Sequence, residues 1–295
     1  MDIKNLHFTK TRIAPTPSGY LHVGNVLSFA ITAALASQSG AKILLRIDDL
    51  DRQRANPLFV QDIFDTLNFM EIPWDEGPRN ATEFEREWSQ LQRINYYEKA
   101  LQQLKDGGKL FACTCSRAQI NGENYPGTCR DKEIPFDTKD CCWRLRTNND
   151  EELSIKTLSG DIKTTLPAQM HDFIVRKKDG YPAYQLASLI DDVHFGVDFI
   201  VRGEDLWPST VAQNYLSRLI GSNSFAQTTF YHHTLLMAEG DKKLSKSSGD
   251  TSIQNLRLSG KMPPEVYNTI VQLCGIKQPV NNWQTLGDIA LYSNP

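Results

Sequence analysis

The chain of 295 residues has no excess of basic charge. Its 32 Lys and Arg face 35 Asp and Glu, for a net charge of -3. That excludes indiscriminate nucleic-acid binding through overall charge, so an RNA partner would have to meet a local basic face. There is no long apolar run. The longest stretch, Val26 to Ala36, is interrupted by Ser28 and Thr32, and a bilayer crossing needs roughly 20 apolar residues. The opening residues, Met1-Asp2-Ile3-Lys4-Asn5, lead into no apolar segment of the secretory kind. A cytoplasmic location without a membrane partner is therefore expected. Internal repeats and low-complexity tracts are absent. Cysteine is scarce, with six residues that cluster instead of spreading as a disulfide framework. In a reducing compartment such clustering favours a metal or buried thiols over disulfides.

What is present is an alternating pattern with an interruption. Hydrophobic residues make up 40% of the chain, enough for a core. Residues 9–13 read as a strand that breaks at Pro15 and Pro17 and turns at Gly19. Helical character follows from Val26 to Ser37, closed by Gly40, and residues 42–47 read as a buried strand. Val60, Ile63, Phe64 and Leu67 recur at helical spacing in 58–70. Ile94, Tyr97, Leu101 and Leu104 do so in 94–106, which stops at Gly107-Gly108. Strands alternating with helices predict a parallel sheet with crossover helices. Residues 109–172 are polar, irregular and cysteine-rich, and read as an insertion. The pattern then predicts a hairpin over 173–186 turning at Lys178-Asp179-Gly180, and a strand at 197–202. It continues with a helix from an N-cap at Ser209 to Ile220, a strand at 228–236 and a tail helix over 263–274. The expected division is 1–108 and 173–238 as two halves of one α/β domain, 109–172 inserted, and 239–295 as a loop and helical tail.

Two short segments carry the chemistry. A strand, a Pro/Gly loop and a helix start present free backbone N–H groups to an anion. His22 stands at that entry, where an imidazole N–H can reach a phosphate, and Gly24 leaves room for close approach to the backbone. The second segment is Asp241-Lys242-Lys243-Leu244-Ser245-Lys246-Ser247-Ser248-Gly249, a Lys/Ser loop suited to charge developing on leaving pyrophosphate. An isolated Pro/Gly stretch is usually a turn, and a Lys/Ser run is usually a solvated loop. The full pattern Arg12-x-Ala14-Pro15-x-Pro17-x-Gly19-x-Leu21-His22-x-Gly24 is too specific for a bare turn, and the two segments reinforce each other.

In this order the segments resemble the HIGH and KMSKS signatures of class I aminoacyl-tRNA synthetases, and the first resembles the glutamyl branch. The fourth HIGH position holds Asn25 instead of His. The resemblance implies a Rossmann-type parallel sheet with helices on both faces, and a ligase-type enzyme that activates a carboxylic acid with ATP and Mg²⁺. It assigns ATP binding to His22, Gly24, Asn25, Lys243, Ser245 and Lys246, with His22 and Lys246 serving the chemistry. Glutamate carries two carboxylates and one ammonium, and arginine forks suit carboxylates. The glutamate positions implied are Arg12, Ile13, Ala14, Pro15, Thr16, Asp48, Tyr184 and Arg202. Asp48 stands where the family usually has Glu, one methylene longer.

The insertion carries Cys113-x-Cys115, Tyr125 and Cys129. Thiolates suit zinc, and structural zinc takes four ligands, so three cysteines leave one position open. Read from the residues alone, Tyr125, Cys141 and Cys142 all compete for it. The set resembles the zinc site of the compact glutamyl-Q tRNA(Asp) subgroup, which implies Tyr125 as the fourth ligand and one structural Zn²⁺ per chain. Cys141 and Cys142 read as packing residues, and Cys274, on the apolar stripe of the tail helix, as core. His232 and His233 read as packing or hydrogen-bonding groups, and Asp191-Asp192 as ribose-contacting or pocket-ordering. Only about 45 residues follow the Lys/Ser loop, where a discriminating glutamyl-tRNA synthetase carries an anticodon-binding region. The resemblance to the compact subgroup implies L-glutamate, ATP and queuosine-bearing tRNA(Asp) as partners of a monomer. The competing readings are a truncated glutamyl-tRNA synthetase charging a 3′ end, a small-molecule nucleotidyltransferase, and a non-catalytic RNA-binding paralogue.

Overall fold

The computed structural model describes residues 6–120, 124–238, 242–243 and 252–292. The chain forms two compact units. The first comprises Met1–Gln92, Val197–Asp205 and Phe230–Pro295, and the second Arg93–Gly196 and Leu206–Thr229.

The first unit opens with β1 (Lys10–Ile13), α1 (Val23–Ser39) and β2 (Lys42–Leu45). β1 and β2 pair in parallel, Lys10 against Lys42 through Ile13 against Leu45. A parallel pair requires a crossover, and α1 supplies it. This helix starts three residues before the predicted Val26, because its cap is His22, and it stops at Gly40 in the left-handed conformation. Beyond β2 come α2 (Pro57–Phe69), with Pro57 in its first turn and Asn56 as N-cap, and the short α3 (Ala81–Glu83).

The second unit begins with α4 (Ile94–Asp106) and β3 (Leu110–Cys113). β4 (Cys142–Leu145), β5 (Leu153–Thr157), β6 (Gly160–Thr164) and β7 (Ile174–Arg176) follow. β3, β4 and β7 make an antiparallel sheet, and β5 and β6 make a hairpin. The segment expected to be irregular thus contains four strands of its own. The turn at Lys178-Asp179-Gly180 is present, with Lys177 N–H to the Tyr181 carbonyl at 2.8 Å. The return strand of the expected hairpin is only a bridge at Pro182, because the chain enters α5 (Tyr184–His194). Strand propensity at Tyr184 and Leu186 yields to the apolar spacing of Leu186, Ala187 and Leu189, which buries one helical face.

β8 (Phe199–Gly203) returns to the first unit. It is tied to β1 by the Asp198 carboxylate, which accepts the N–H groups of Thr9 and Lys10 at 2.9 and 3.0 Å. α6 (Trp207–Leu219) and α7 (Asn223–Ala226) lie in the second unit. Pro208 in the first turn of α6 starts this helix earlier than expected. Ser209 is therefore not its cap but a buried residue that accepts from Gln185 Nε2 at 3.0 Å.

β9 (Thr229–His233) lies beside β8. β10 (Met237–Ala238) and β11 (Lys242–Lys243) form a short antiparallel pair. The tail is α8 (Ile253–Leu258), α9 (Pro263–Leu273) and α10 (Trp283–Tyr292). α10 lies on α1 where both present small residues. A Cβ on Gly287 would sit 2.5 Å from Ala34 Cβ and 2.7 Å from the Ala30 carbonyl oxygen, so only glycine permits that approach. Cys274 is the C-cap of α9 and partly exposed, not core. Among the described residues no helix is long and apolar enough to cross a membrane.

Candidate functional site

In the first unit, the loop after β1 ends on a cap built by two side chains. His22 is extended, and its Nδ1 accepts the Gly24 N–H at 3.1 Å, while Asn25 Oδ1 accepts the His22 N–H at 3.0 Å. This reciprocal box satisfies helix-start donors in the manner of a Ser/Glu pair. An imidazole accepting at Nδ1 carries its proton on Nε2 when neutral. His22 thereby stands at the positive end of a 17-residue helix with a donor on its outer nitrogen. A Cβ on Gly24 would lie 3.0 Å from His22 Cε1 and 3.1 Å from Nδ1. Gly24 is small because the imidazole folds over it, a reason that spacing did not reveal.

The chain beyond the Lys/Ser segment returns to the same place. Ser252 bridges His22 in antiparallel fashion, and Ile253 N–H donates to the Leu21 carbonyl at 2.8 Å. Lys243 lies in β11, its backbone paired with Met237. Ser245 and Lys246 lie outside the described residues. Beneath the loop, buried Asp62 accepts the Leu21 N–H at 3.2 Å and faces Arg257 at 3.6 Å. Burial raises its carboxyl above the usual range against the pull of those two partners. The sequence reading missed Asp62, whose only signal is a carboxylate between Val60 and Ile63 on an apolar stripe.

The C-terminal ends of the strands carry the cations. Arg12 on β1 is buried and donates Nη1 to the Val201 carbonyl at 3.2 Å. Arg202 on β8 is buried, with its guanidinium 5.8 Å from the centre of the Phe230 ring. His232 on β9 stacks on that Phe230 ring at 6.2 Å. Burial, then the charges of Arg202, His233 and Arg12, lower the His232 pKa to about 3, so its ring is neutral at ordinary pH. Burial likewise lowers that of His233, whose Nδ1 lies 2.9 Å from the Thr234 carbonyl oxygen. Two arginines and a neutral imidazole on β1, β8 and β9 make an anion-attracting edge.

Asp48 is held differently from what its expected ammonium contact suggests. Buried Arg46 donates Nε to Oδ1 at 2.7 Å and Nη2 to Oδ2 at 3.0 Å. Its backbone N–H donates to the Pro15 carbonyl at 2.9 Å, which ties Asp48 to the Arg12–Thr16 segment where Ile13 and Pro15 are buried. The adjacent Asp49 orders a loop, accepting from Ser89 Oγ at 2.6 Å, the Gln90 N–H at 2.8 Å and Arg52 at 2.8 Å. Arg12, Thr16, Asp48 and Arg202 thus belong to the first unit. Tyr184, the first residue of α5, is exposed and belongs to the second. Asp191 is also in the second unit and accepts from Arg93 at 2.7 Å and the Tyr97 hydroxyl at 2.6 Å. Those contacts make it a buried structural anchor.

The cysteine group lies wholly in the second unit. The sulfurs of Cys113, Cys115 and Cys129 lie within 4.8 Å of one another, and those of Cys115 and Cys129 are 3.4 Å apart. Zn–S bonds of about 2.3 Å in a tetrahedron set sulfurs about 3.8 Å apart, so the spacing fits zinc. The Tyr125 hydroxyl accepts the Cys129 N–H at 2.8 Å. Cys142 faces Cys113 across β3 and β4, with its thiol directed to the Cys113 carbonyl at 3.4 Å. The Cys141 thiol points to the Phe136 carbonyl at 3.4 Å instead. The geometry therefore favours Tyr125 over Cys141. Burial pushes the Cys113 thiol up, but Tyr125, the Cys115 backbone and Arg144 outweigh it and bring the pKa down to about 7. Burial, then the neighbouring thiols, push Cys115 up to about 11, and burial does the same to Cys142. Arg144, close to Cys113 and Tyr125, is a residue the sequence reading passed over.

The chain is similar to known proteins over most of its length. Residues 9–284 match the family described as tRNA synthetases class I (E and Q), catalytic domain. Glutamate–tRNA ligase 2 of Syntrophus aciditrophicus is 30% identical over 281 residues, 90% of this chain but 57% of its own length. Glutamyl-Q tRNA(Asp) synthetase of Pseudomonas aeruginosa is 37% identical over 238 residues, 80% of this chain and 76% of its own. A crystal structure of glutamate–tRNA synthetase from Elizabethkingia anophelis superposes with a TM-score of 0.75 at 22% identity. It covers 95% of this chain and 65% of that one, and shares the fold. Against the two ligase-type proteins, this chain spans less than two thirds of their length. With its match running almost end to end, the chain belongs to the class I tRNA synthetase family for glutamate and glutamine.

Proposed function

We propose that this chain activates L-glutamate with ATP and transfers the glutamyl group to queuosine at the wobble position of tRNA(Asp). The observation that carries the acceptor is the Tyr125 hydroxyl on the Cys129 N–H, beside the cluster of three cysteine thiols, an arrangement that resembles the glutamyl-Q subgroup. The 37% identity to a relative named for that reaction supports it. In the first step a glutamate carboxylate oxygen bonds to the α-phosphorus of ATP, and the bond to the β-phosphate oxygen breaks. Pyrophosphate leaves, and Mg²⁺ bound with ATP would offset its charge. In the second step a cyclopentene hydroxyl of queuosine attacks the acyl carbon, loses its proton and expels AMP.

The residues of this chain act mainly by position and charge. His22 donates from Nε2 toward the phosphates at the start of α1, and Lys243 and Lys246 supply positive charge to the leaving pyrophosphate. Arg12 and Arg202 hold the substrate carboxylates, and Asp48 meets the ammonium. Cys113, Cys115, Tyr125 and Cys129 would hold a zinc ion that stabilises the second unit. The deciding experiment is transfer of labelled glutamate, with ATP, to tRNA(Asp) with and without queuosine. Queuosine-dependent labelling is expected. Labelling of a tRNA(Glu) 3′ end instead would replace this reading with that of a conventional glutamate–tRNA ligase, as in the Syntrophus relative.

A further inference from the structure

The cysteine group has one positively charged wall. Arg144 lies on β4, opposite Phe111 in the register, and is 6% exposed. Its guanidinium carbon sits 3.7 Å from the centre of the Tyr125 ring. Nη1 donates to the Asp172 carbonyl at 2.9 Å, and the buried Nε meets no acceptor. Among the described residues no carboxylate pairs with it. The Asp172 carboxylate is itself taken by Arg130 and by the Thr147 backbone and hydroxyl. Arg146 on the same face offers a contrast. It also covers an aromatic ring, Phe111, but it is partly exposed and pairs with Asp131 at 3.4 Å.

A buried guanidinium keeps its charge, and a buried charge with no counter-charge is costly. The nearest chemistry able to balance it is a loaded metal site. A divalent ion with three thiolates carries one net negative charge, and a phenolate as fourth ligand adds a second. We propose that Arg144 is the counter-cation of a Cys113–Cys115–Tyr125–Cys129 zinc site, stacked on Tyr125 so that the phenol oxygen can serve as fourth ligand. The inference rests on the metal reading of the cluster. A cation over the ring face offsets the charge that the oxygen brings to the metal, and the stack fixes the ring plane so that the oxygen stays aimed at the sulfurs. Arg144 touches no substrate in this reading. It is a positioning residue for a ligand.

The test is zinc content of the purified full chain, followed by zinc affinity from competition with a chromogenic chelator. The proteins are the natural chain, Arg144→Gln, Arg144→Lys, Tyr125→Phe and the Tyr125→Phe/Arg144→Gln double variant. The natural chain should hold about one zinc. Arg144→Gln should lose roughly 10- to 100-fold in affinity, and Arg144→Lys less, because it keeps the charge without the planar stack. In the Tyr125→Phe background the Arg144→Gln effect should largely vanish. Natural-like affinity in Arg144→Gln overturns the proposal while leaving the metal reading intact. An undiminished loss in the Tyr125→Phe background overturns the role through tyrosine. A natural chain without zinc removes both. If Arg144→Gln fails to fold, Arg144→Lys and its pairing with Tyr125→Phe carry the same comparison.

Discussion

Arg46 grips both carboxylate oxygens of Asp48, at 2.7 and 3.0 Å, and both residues are buried. Removing one partner of such a pair strands the other charge, a cost of about 3–5 kcal/mol. Asp48→Asn should therefore lower the unfolding free energy by about 3 kcal/mol, measured by urea denaturation. A loss under about 1 kcal/mol, the value of an exposed pair, would mean that Arg46 finds another partner. The pair also bears on substrate, because a carboxylate already engaged by Arg46 has less charge to offer an ammonium. Asp48→Glu should shift the KM for glutamate more than kcat, in ATP–pyrophosphate exchange.

Gly24 separates stability from activity. Alanine suits a helix better than glycine by up to about 1 kcal/mol, and loss of the His22 cap bond costs about as much, so Gly24→Ala should leave the melting temperature nearly unchanged. Its Cβ would nevertheless meet the His22 ring at 3.0 Å and displace it from the Gly24 N–H. With the imidazole moved, ATP–pyrophosphate exchange should fall about tenfold or more, the weight of one well-placed donor. Unchanged exchange with unchanged stability would separate His22 from phosphate contact.

Much of this was readable in advance, for identifiable reasons. Helical spacing located α2 and α4 almost to the residue, because their apolar stripes are strict and Asn56 and Gly107 punctuate them. The return of Ser252 to His22 was not readable, since two segments 230 positions apart share no local signal. Spacing alone also left the fourth thiol-site ligand open among Tyr125, Cys141 and Cys142. Only the cross-strand register of Cys113 with Cys142 and the turn that brings Tyr125 back to Cys129 show where each side chain goes. The role of Arg46 toward Asp48 depends on side-chain geometry, which spacing does not give.

His232 gives the protein a pH signature. Its folded pKa, lowered to about 3 by burial and by Arg202, His233 and Arg12, lies below the unfolded value of about 6.5. The unfolded chain therefore binds the extra proton first. The stability this residue contributes is complete above about pH 6.5 and is lost as pH falls toward 3. Within that window one proton corresponds to about 1.4 kcal/mol per pH unit. His232→Asn should flatten the acid limb of the stability curve by up to that slope. Parallel curves for the two proteins would show that the imidazole is not held neutral.

The thiol group separates its members by function. Cys129 is one of three sulfurs within 4.8 Å, and its N–H also fixes the Tyr125 hydroxyl at 2.8 Å. Cys142 is buried behind Cys113, its thiol turned to a backbone carbonyl. Cys129→Ala should therefore abolish zinc retention and lower the melting temperature to that of chelator-treated natural protein, because both lose the same cross-link between β3 and the following loop. Cys142→Ala should keep about one zinc per chain and lose only packing, roughly 1 kcal/mol for a small buried side chain. Metal analysis after gel filtration distinguishes the two. If Cys142→Ala releases zinc while Tyr125→Phe retains it, the fourth ligand is a thiolate, and the cross-strand pair Cys113–Cys142 becomes the anchor of the site.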